Sequence, residues 1–198
     1  ISDTHNKHKD IVIPEGDVLI HAGDFTNRGT YKEFCIFVNW LSEIKHNYKK
    51  IFLIAGNHDF IMESNPSVAS EFSEHCEYLL DKEYIYDGLK FYGAPWQPTY
   101  FNWAFNVNRG TAIALKWKMI PEDTNVLITH GPAWGILDKN KNAESCGCKD
   151  LLDRLSYLEQ LKLLVSGHIH EDYNQIYIGK THYVNASICN ILHEPINP

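Results

Sequence analysis

The sequence predicts an α/β fold, in one domain that spans residues 1–198. Short apolar runs followed by glycine or serine alternate with segments whose apolar residues recur at helical spacing. This alternation is typical of α/β proteins rather than of all-β proteins. The chain contains no internal repeat, low-complexity stretch or linker, and its 198 residues suffice for one domain with a sizeable core.

The first half of the chain contains two predicted strands and two predicted helices. Residues 17–22 are a short apolar run followed by glycine, which is typical of a buried strand, and residues 51–55 repeat this pattern. Between them, apolar side chains recur at helical spacing over residues 30–48, which begin with a Thr-x-x-Glu capping box. A shorter helix is expected from about Pro66.

The second half continues the alternation and ends in a predicted hairpin. The expected elements are one or two strands within 84–94, a helix over 109–118, a strand over 125–129, a helix over 151–161, a strand over 162–166 and a hairpin within 173–192. The stretch from Pro95 to Asn108 is rich in aromatic residues and has no regular period. We therefore expect an irregular segment there.

The charge balance excludes one broad class of function. The chain carries 18 basic and 25 acidic residues, a net charge of −7, and has no basic run. Proteins that bind nucleic acids independently of sequence present a basic surface, so we expect no such binding. No apolar run reaches the roughly 18 residues of a membrane-spanning helix, so no membrane association is expected.

The five cysteines are an odd number and lack the dense spacing of a disulfide scaffold. We interpret them as reduced thiols, which are typical of cytoplasmic proteins. Cys146 and Cys148 form a close pair, but without a second pair they are interpreted as free thiols rather than zinc ligands. The chain begins at Ile1 without a methionine, so we expect a truncated first strand. The sequence leaves open whether a targeting segment precedes it.

Residues of the types that bind metals lie at the ends of five short apolar runs. In open α/β sheets, ligands bind beyond the carboxyl ends of the strands, so five such ends indicate one shared site. The residues offer carboxylate, imidazole and amide groups. The candidate metal ligands are Asp3, His5, Asp24, Asn57, His130, His168 and His170.

The spacing of these candidates suits two metal ions. Residues two apart in an extended chain face the same side, and two pairs have this spacing: Asp3 with His5, and His168 with His170. The carboxylate of Asp24 has two oxygens and can bridge two cations. Oxygen and imidazole ligands without thiolate favour Mn, Fe or Zn, with Mg possible. Two divalent cations beside two carboxylates leave net positive charge, which suits an anionic phosphoryl group.

In their order along the chain, these motifs resemble those of the calcineurin-like metallophosphoesterase superfamily. The matching motifs are Asp3-x-His5, Gly23-Asp24, Gly56-Asn57-His58-Asp59, His130-Gly131 and Gly167-His168-x-His170. Within it, the chain is most similar to the metallophosphoesterase-domain-containing (MPPED) subgroup, through Gly93-Ala-Pro-Trp96, the aromatic stretch that follows and Asn185-Ala-Ser187. The resemblance implies an α/β fold of two packed mixed β-sheets flanked by helices, a four-layer sandwich with its site at loop ends along one edge.

The resemblance also implies a role for each candidate. The first metal would be held by Asp3, His5, Asp24 and His170, and the second by Asp24, Asn57, His130 and His168. His58 would protonate the leaving oxygen, a step that typically contributes about 10²–10⁴-fold. For the MPPED subgroup, the implied substrate class is a nucleotide-like phosphodiester.

One position departs from the superfamily pattern. Many members carry Gly-Asp-x-x-Asp-Arg, whereas Asn27 replaces the second aspartate here. An amide cannot stabilise an imidazolium as a carboxylate does. The Asn27 side chain therefore gives no electrostatic support to the acid role of His58. In contrast, His168 is present where some MPPED relatives carry glycine, which favours a complete second metal site.

Three further residues are candidates for binding the substrate. Trp96 and Trp103 form either a wall on which a nucleobase stacks or a pair of rings packed on the core. Arg109 either contacts phosphate or is a solvated residue at a helix start. The histidines outside the motifs carry no assigned role: His8, His21, His46, His75, His182 and His193.

These features predict a two-metal enzyme in which hydroxide attacks a small phosphoester, a phosphodiester rather than a monoester. One alternative is a Ser/Thr phosphoprotein phosphatase, against which the chain lacks an evident extended charged groove for peptides. Another is a nucleotide-binding or scaffolding protein with a vestigial site, against which the complete Gly167-His168-x-His170 motif argues. The sequence predicts no particular protein partner.

Overall fold

Strands and helices alternate along most of the chain in the computed structural model, which describes residues 1–197. The strands are β1 (Val18–His21), β2 (Lys50–Leu53), β3 (Glu77–Tyr78), β4 (Lys82–Tyr86), β5 (Leu89–Ala94), β6 (Gln97–Pro98), β7 (Asn106–Val107), β8 (Val126–Thr129), β9 (Leu163–Ser166), β10 (Asn174–Ile178) and β11 (Thr181–Asn185). The α-helices are α1 (Tyr31–Ile44), α2 (Phe60–Ser64), α3 (Thr111–Lys118) and α4 (Lys149–Leu155). Short 3₁₀ segments cover Lys45–Asn47, Pro66–Phe72 and His170–Asp172.

The strands form two main sheets. A three-stranded parallel sheet has the order β1-β2-β3. A six-stranded mixed sheet has the order β10-β11-β9-β8-β5-β4, with parallel pairing in its centre and an antiparallel strand at each edge. A separate parallel pair, β6-β7, lies within the irregular aromatic segment. The expected mixed α/β architecture with packed sheets is therefore confirmed.

The side chains along each strand point alternately to its two faces, and this alternation produces four packed layers. On β2, Ile51 packs with the apolar face of α1, while Phe52 points the other way and packs against the six-stranded sheet. On β8, Ile128 faces the three-stranded sheet, whereas Leu127 belongs to the cluster that includes α3 and α4. Because successive side chains of a strand point to opposite faces, each sheet is covered on both sides.

The helix α1 confirms the expected capping box. The Thr30 side chain accepts a hydrogen bond from the Glu33 backbone, and the Glu33 side chain accepts one from the Thr30 backbone. The helix buries Phe34, Phe37 and Leu41 completely. At about 25 cal/mol for each Å² of apolar surface, this face is a main contributor to the packing of α1 on the sheet.

The two sheets approach closely at Gly93 of β5. A Cβ atom at this position would lie 2.4 Å from Leu79 Cβ and 2.7 Å from Ile54 Cγ2. Both of these residues follow strands of the three-stranded sheet, so only glycine allows this separation. The Gly93-Ala-Pro-Trp96 motif therefore has a structural role between the sheets.

The first residues of the chain join the two sheets at one edge. The Ser2 carbonyl accepts a hydrogen bond from Ile188, which follows β11, at 2.9 Å. The Asp3 backbone donates to the Gly23 carbonyl, which follows β1, also at 2.9 Å. The backbone of residues 1–3 therefore bridges the carboxyl ends of strands from both sheets, and this edge carries the site.

Two helix predictions differ from the structure. The five-residue helix α2 (Phe60–Ser64) was not expected, because it is too short to show a helical period. The helix expected over 151–161 begins at Lys149 and ends at Leu155. Tight turns follow it, yet Leu158 and Leu161 still pack into the same cluster, so their spacing imitates a helix.

All five cysteines are free thiols in the structure. The helices within residues 1–197 are too short or too polar to cross a lipid bilayer.

Candidate metal centre

The predicted metal ligands converge on the edge where the strands of both sheets end. Their ring nitrogens and carboxylate oxygens form overlapping groups within 4.8 Å of one another, among them Asp3-His5-His170 and Asp3-Asp24-His130. Asn57 joins them through contacts with two histidines. The structure therefore brings all seven sequence candidates together.

One half of the centre surrounds Asp3. His170 Nε2 lies 3.3 Å from Asp3 Oδ1 and 3.4 Å from His5 Nε2. His5 Nε2 also lies 3.8 Å from Asp24 Oδ2. Two imidazole nitrogens that face each other at this distance share at most one proton, so a cation between them would satisfy both lone pairs.

The other half surrounds Asn57. Its side-chain oxygen lies 2.8 Å from His130 Nε2 and 2.7 Å from His168 Nδ1. His130 Nε2 is also 3.3 Å from Asp24 Oδ2. Asp24 thus contacts ligands of both halves, which is the position that a bridging carboxylate would take.

Backbone carbonyls orient two of these imidazoles. His130 Nδ1 donates to the Ala22 carbonyl at 2.9 Å, and His170 Nδ1 donates to the Asn190 carbonyl at 2.8 Å. In its neutral form, each ring then presents the lone pair of Nε2 to the centre. Metal-binding histidines are oriented in this way by their second nitrogen.

Hydrogen bonds also fix the carboxylates. Asp3 Oδ2 accepts from the backbone of His168 at 3.0 Å and from Ser187 Oγ at 2.9 Å. This contact gives a physical role to the Asn185-Ala-Ser187 motif. Asp59, which carried no firm role in the sequence, accepts from the backbone N–H groups of Asp24 at 2.9 Å and Gly56 at 2.8 Å.

Four of the predicted ligands have left-handed backbone conformations. Their φ angles are +54° at Asp3, +40° at His5, +56° at Asp24 and +69° at His168. Non-glycine residues adopt this region at a cost on the order of 1–3 kcal/mol each, and such residues concentrate at functional sites. The surrounding sheets stabilise a loop geometry that these residues would not adopt alone.

Two glycines allow the strand ends to reach the carboxylates. A Cβ on Gly56 would lie 2.3 Å from Asp24 Oδ1 and 2.6 Å from His130 Cε1. A Cβ on Gly167 would lie 2.1 Å from Asp3 Oδ2. Glycine is therefore required before Asn57 and before His168, because a carboxylate oxygen lies too close to the backbone there for a Cβ atom.

Burial and the neighbouring carboxylates strongly shift the pKa values of three histidines at the site. Burial lowers the pKa of His130, but the facing Asp24 carboxylate outweighs it and raises the pKa to about 9. Burial and Asp3 oppose each other in the same way at His170, whose pKa is also raised to about 9. At His5, burial prevails and lowers the pKa to about 3. Protons on His130 and His170 thus compensate the two carboxylates in the metal-free protein.

These residues fit divalent cations. Carboxylate, imidazole and amide groups are suitable ligands for Mn, Fe and Zn, and the orienting hydrogen bonds of the two imidazoles direct their lone pairs inward. The Nδ1 atom of the fully buried His5 has no hydrogen-bond partner within residues 1–197. A buried polar atom without a partner is costly, and the ring atom of His5 that faces His170 and Asp24 is Nε2.

His58 lies beside the centre and has a support that the sequence did not reveal. Its Nδ1 donates to the backbone carbonyl of Asn27 at 2.7 Å, and its own backbone donates to Asp24 Oδ1 at 2.7 Å. A main-chain acceptor therefore orients the His58 ring, without the negative charge that an aspartate side chain would add. This bond holds the ring and leaves Nε2 as its second site for a proton.

The three candidates for substrate binding have different surroundings. The Trp103 ring centroid lies 4.2 Å from that of His58, so this residue borders the site. Trp96 donates its indole N–H to Asp81 at 2.7 Å, and its ring packs against two apolar clusters and under Lys116. These contacts favour the packing interpretation of Trp96 over a stacking platform.

Arg109 borders a cavity next to the metal centre. Its guanidinium donates to the carbonyls of Gly147 at 2.8 Å and Cys146 at 3.0 Å. The cavity has a volume of about 450 Å³ and is also lined by Tyr100 and His168. Because His168 is a predicted ligand, the cavity borders the centre at this residue.

His193 is at the site although the sequence assigned it no role. Its ring lies 3.8 Å from that of His5, centroid to centroid, with the two planes only 2° apart. It follows the predicted hairpin outside every recognised motif, so no local signal marked it.

Comparisons with known proteins agree with this geometry. Residues 1–172 match the family model described as calcineurin-like phosphoesterase. The chain is 40% identical over 222 residues to human metallophosphoesterase domain-containing protein 1, covering all of this chain and 68% of the relative, and the mouse protein matches equally. A UPF0046 protein from Caenorhabditis elegans is 38% identical over 213 residues, covering 96% of this chain and 74% of the relative.

Metal binding is expected to release about two protons near neutral pH. His130 and His170 bind protons below about pH 9 in the metal-free protein, and ligating histidines must be neutral. Since the metal-free state holds more protons, raising the pH towards 9 favours the metal-bound state. Calorimetric titration with Mn²⁺ in buffers of different ionisation enthalpy measures this release.

His182→Ala is a matched control, because that ring hydrogen-bonds to Gln175 on the β10–β11 hairpin. It should leave the number of released protons unchanged. Mn²⁺ binding without proton release would contradict the proposed protonation of the two site histidines.

Proposed function

The chain belongs to the calcineurin-like phosphoesterase family, and we propose that it hydrolyses phosphodiesters, with nucleotide-like diesters as its substrates. The proposed cofactors are two divalent cations, namely Mn, Fe or Zn, with Mg possible. The proposed ligands are Asp3, His5, Asp24, Asn57, His130, His168 and His170, with Asp24 between the two ions.

The observation that carries the proposal is the cavity beside His168. Its volume of about 450 Å³ lies within the roughly 300–1,000 Å³ of typical small-molecule sites. A diester has an organic group on each side of phosphorus, whereas a monoester has one. A pocket that borders the centre at His168 provides room for an organic group on one side of the phosphorus.

The cavity also contains groups that suit a nucleotide. Tyr100 is 62% exposed and its ring meets Phe101 at a steep angle of 66°, so we expect a ring face to be open for stacking on a base. The Arg109 guanidinium uses two N–H groups for its bonds to carbonyls, which hold it in position. Its remaining N–H groups can donate to an anionic oxygen.

The residues of the centre distribute charge for an anionic substrate. Asp3 and Asp24 neutralise part of the charge that two divalent cations bring, which leaves net positive charge for a phosphoryl group. When bound, the cations supply Lewis acidity and activate the water that attacks phosphorus. Asn57 adds a ligand oxygen without adding negative charge.

In this proposal, His58 donates a proton to the leaving group. Its Nδ1–H is held by the Asn27 carbonyl, so Nε2 is the ring atom that can deliver a proton to the leaving group. Donation of this proton to the departing ester oxygen prevents the accumulation of negative charge there. The Trp103 ring beside His58 restricts the positions that the imidazole can take.

The first test is hydrolysis of bis-p-nitrophenyl phosphate compared with p-nitrophenyl phosphate. Chelation should abolish turnover, and Mn²⁺ should restore it with a higher kcat/KM for the diester. A higher kcat/KM for the monoester, or for a phosphopeptide, would instead favour a phosphatase. No turnover of any ester with metal bound would favour a binding protein.

Replacing Tyr100 tests the nucleotide part of the proposal. Tyr100→Ala should raise KM for a nucleotide diester about 5- to 150-fold, because stacking on a base is worth about 1–3 kcal/mol. Tyr100→Phe, which keeps the ring, should retain most of the affinity.

The matched control is Tyr177→Ala, which removes a tyrosine that is also exposed, at 73%, from the edge strand β10. It should leave KM unchanged. Equal KM values for Tyr100→Ala and the unaltered protein would contradict stacking on this ring.

Replacing His58 tests the acid role. His58→Ala should lower kcat about 10²–10⁴-fold while both metals remain bound, because its ring faces the Asn27 carbonyl and Trp103. Metal content and kcat are measured on the same samples, with exposed His46→Ala as control. Loss of metal in His58→Ala would show that the ligand assignment is incorrect.

A further inference from the structure

A turn that follows the last strand folds back onto the metal centre. The Asn190 side-chain oxygen accepts from the backbone of Leu192 at 2.8 Å and of Glu194 at 3.0 Å. The His193 backbone donates to the Asn190 carbonyl at 2.9 Å. His193 has a φ of +57°, so this closed turn holds a left-handed residue at its tip.

The turn contacts the centre in two ways. The Asn190 carbonyl accepts from Nδ1 of His170, and the His193 ring lies flat on the ring of His5. One short segment therefore touches two predicted ligands of the same half of the centre.

His193 also approaches His58. Their ring centroids are 5.5 Å apart with the planes at 84°, and ring nitrogens of His5, His58 and His193 lie within 4.8 Å of one another. His5 is only 2% exposed, whereas His193 is partly exposed. A substrate that reaches His58 from solution would therefore pass close to the His193 ring.

The stacked geometry argues against His193 as a ligand of the same cation as His5. A histidine binds a metal along the lone pair of a nitrogen, which lies in the plane of the ring. Two parallel rings stacked face to face direct their lone pairs along separate planes, so these lone pairs do not meet at one ion. The ring nitrogens of His193 are thus available to another partner.

We propose that His193 is a further catalytic residue, which donates a ring N–H to a phosphoryl oxygen of the substrate beside His58. This inference rests on the proposed function, because it requires a phosphoryl group at the centre. In this role His58 acts on the leaving oxygen and His193 acts on a non-bridging oxygen. His193 needs no change of protonation, since a neutral imidazole already carries one N–H.

Three substitutions separate donation from packing. His193→Phe keeps a flat ring on His5 but removes the N–H, His193→Gln keeps an N–H donor without the ring, and His193→Ala removes both. Leu192→Ala is the matched control, because this residue lies in the same turn and its side chain is 72% exposed. Circular dichroism establishes which variants fold.

The measurements are metal content, affinity of the Mn²⁺-loaded protein for inorganic phosphate by calorimetry, and kcat and KM for bis-p-nitrophenyl phosphate. We expect two metals in every variant. His193→Ala and His193→Phe should bind phosphate about 10- to 100-fold more weakly, as for a lost hydrogen bond to a charged group. His193→Gln should recover part of this affinity, and Leu192→Ala should match the unaltered protein.

Other outcomes overturn the inference. Phosphate affinity retained in His193→Phe and lost in His193→Ala would mean that the ring only supports His5. Loss of metal in the folded variants would mean that His193 maintains the metal site. Unchanged phosphate affinity in an active enzyme would exclude the contact.

Failure of the proposed function gives a different result. If the unaltered protein hydrolyses no ester but the variants show the expected order of phosphate affinities, the contact stands without the activity.

Discussion

The buried negative charge of Asp3 and Asp24 is the constraint on which the rest of the site depends. Both side chains are essentially inaccessible to water, and a buried carboxylate is stable only with compensating charge or hydrogen bonds. Imidazoles of His130 and His170 face them at 3.3 Å. The protonated imidazoles that stabilise the two carboxylates in the metal-free protein are also the groups that would bind divalent cations once they lose their protons.

This concentration of charge requires an unusual backbone. Strand ends from two sheets must approach within van der Waals distance of the carboxylates, and Gly56 and Gly167 make this possible because they lack a Cβ atom. Left-handed conformations at Asp3 and Asp24 then turn the side chains inward. The cost of this strain is offset by the four-layer packing, in which each sheet buries apolar residues on both faces.

Main-chain carbonyls, rather than side chains, orient several imidazoles. His58, His130 and His170 each donate Nδ1–H to a backbone oxygen. A backbone acceptor does not depend on the residue type that carries it. The hydrogen bond that orients His58 therefore does not require an aspartate side chain at position 27. The use of backbone acceptors also explains why the partners of these rings leave no trace in the sequence.

The sequence by itself determined the α/β class, the order of most strands and helices, and all seven candidate ligands. Strand and helix periods are local properties, and the glycine and histidine motifs mark strand ends directly. Only the tertiary structure decided the surroundings of Trp96 and His193, because these depend on contacts between distant parts of the chain. Trp96 meets Asp81 and Lys116, and His193 returns to His5 across nearly the whole sequence. No local pattern encodes such a contact, since packing of the complete fold selects it.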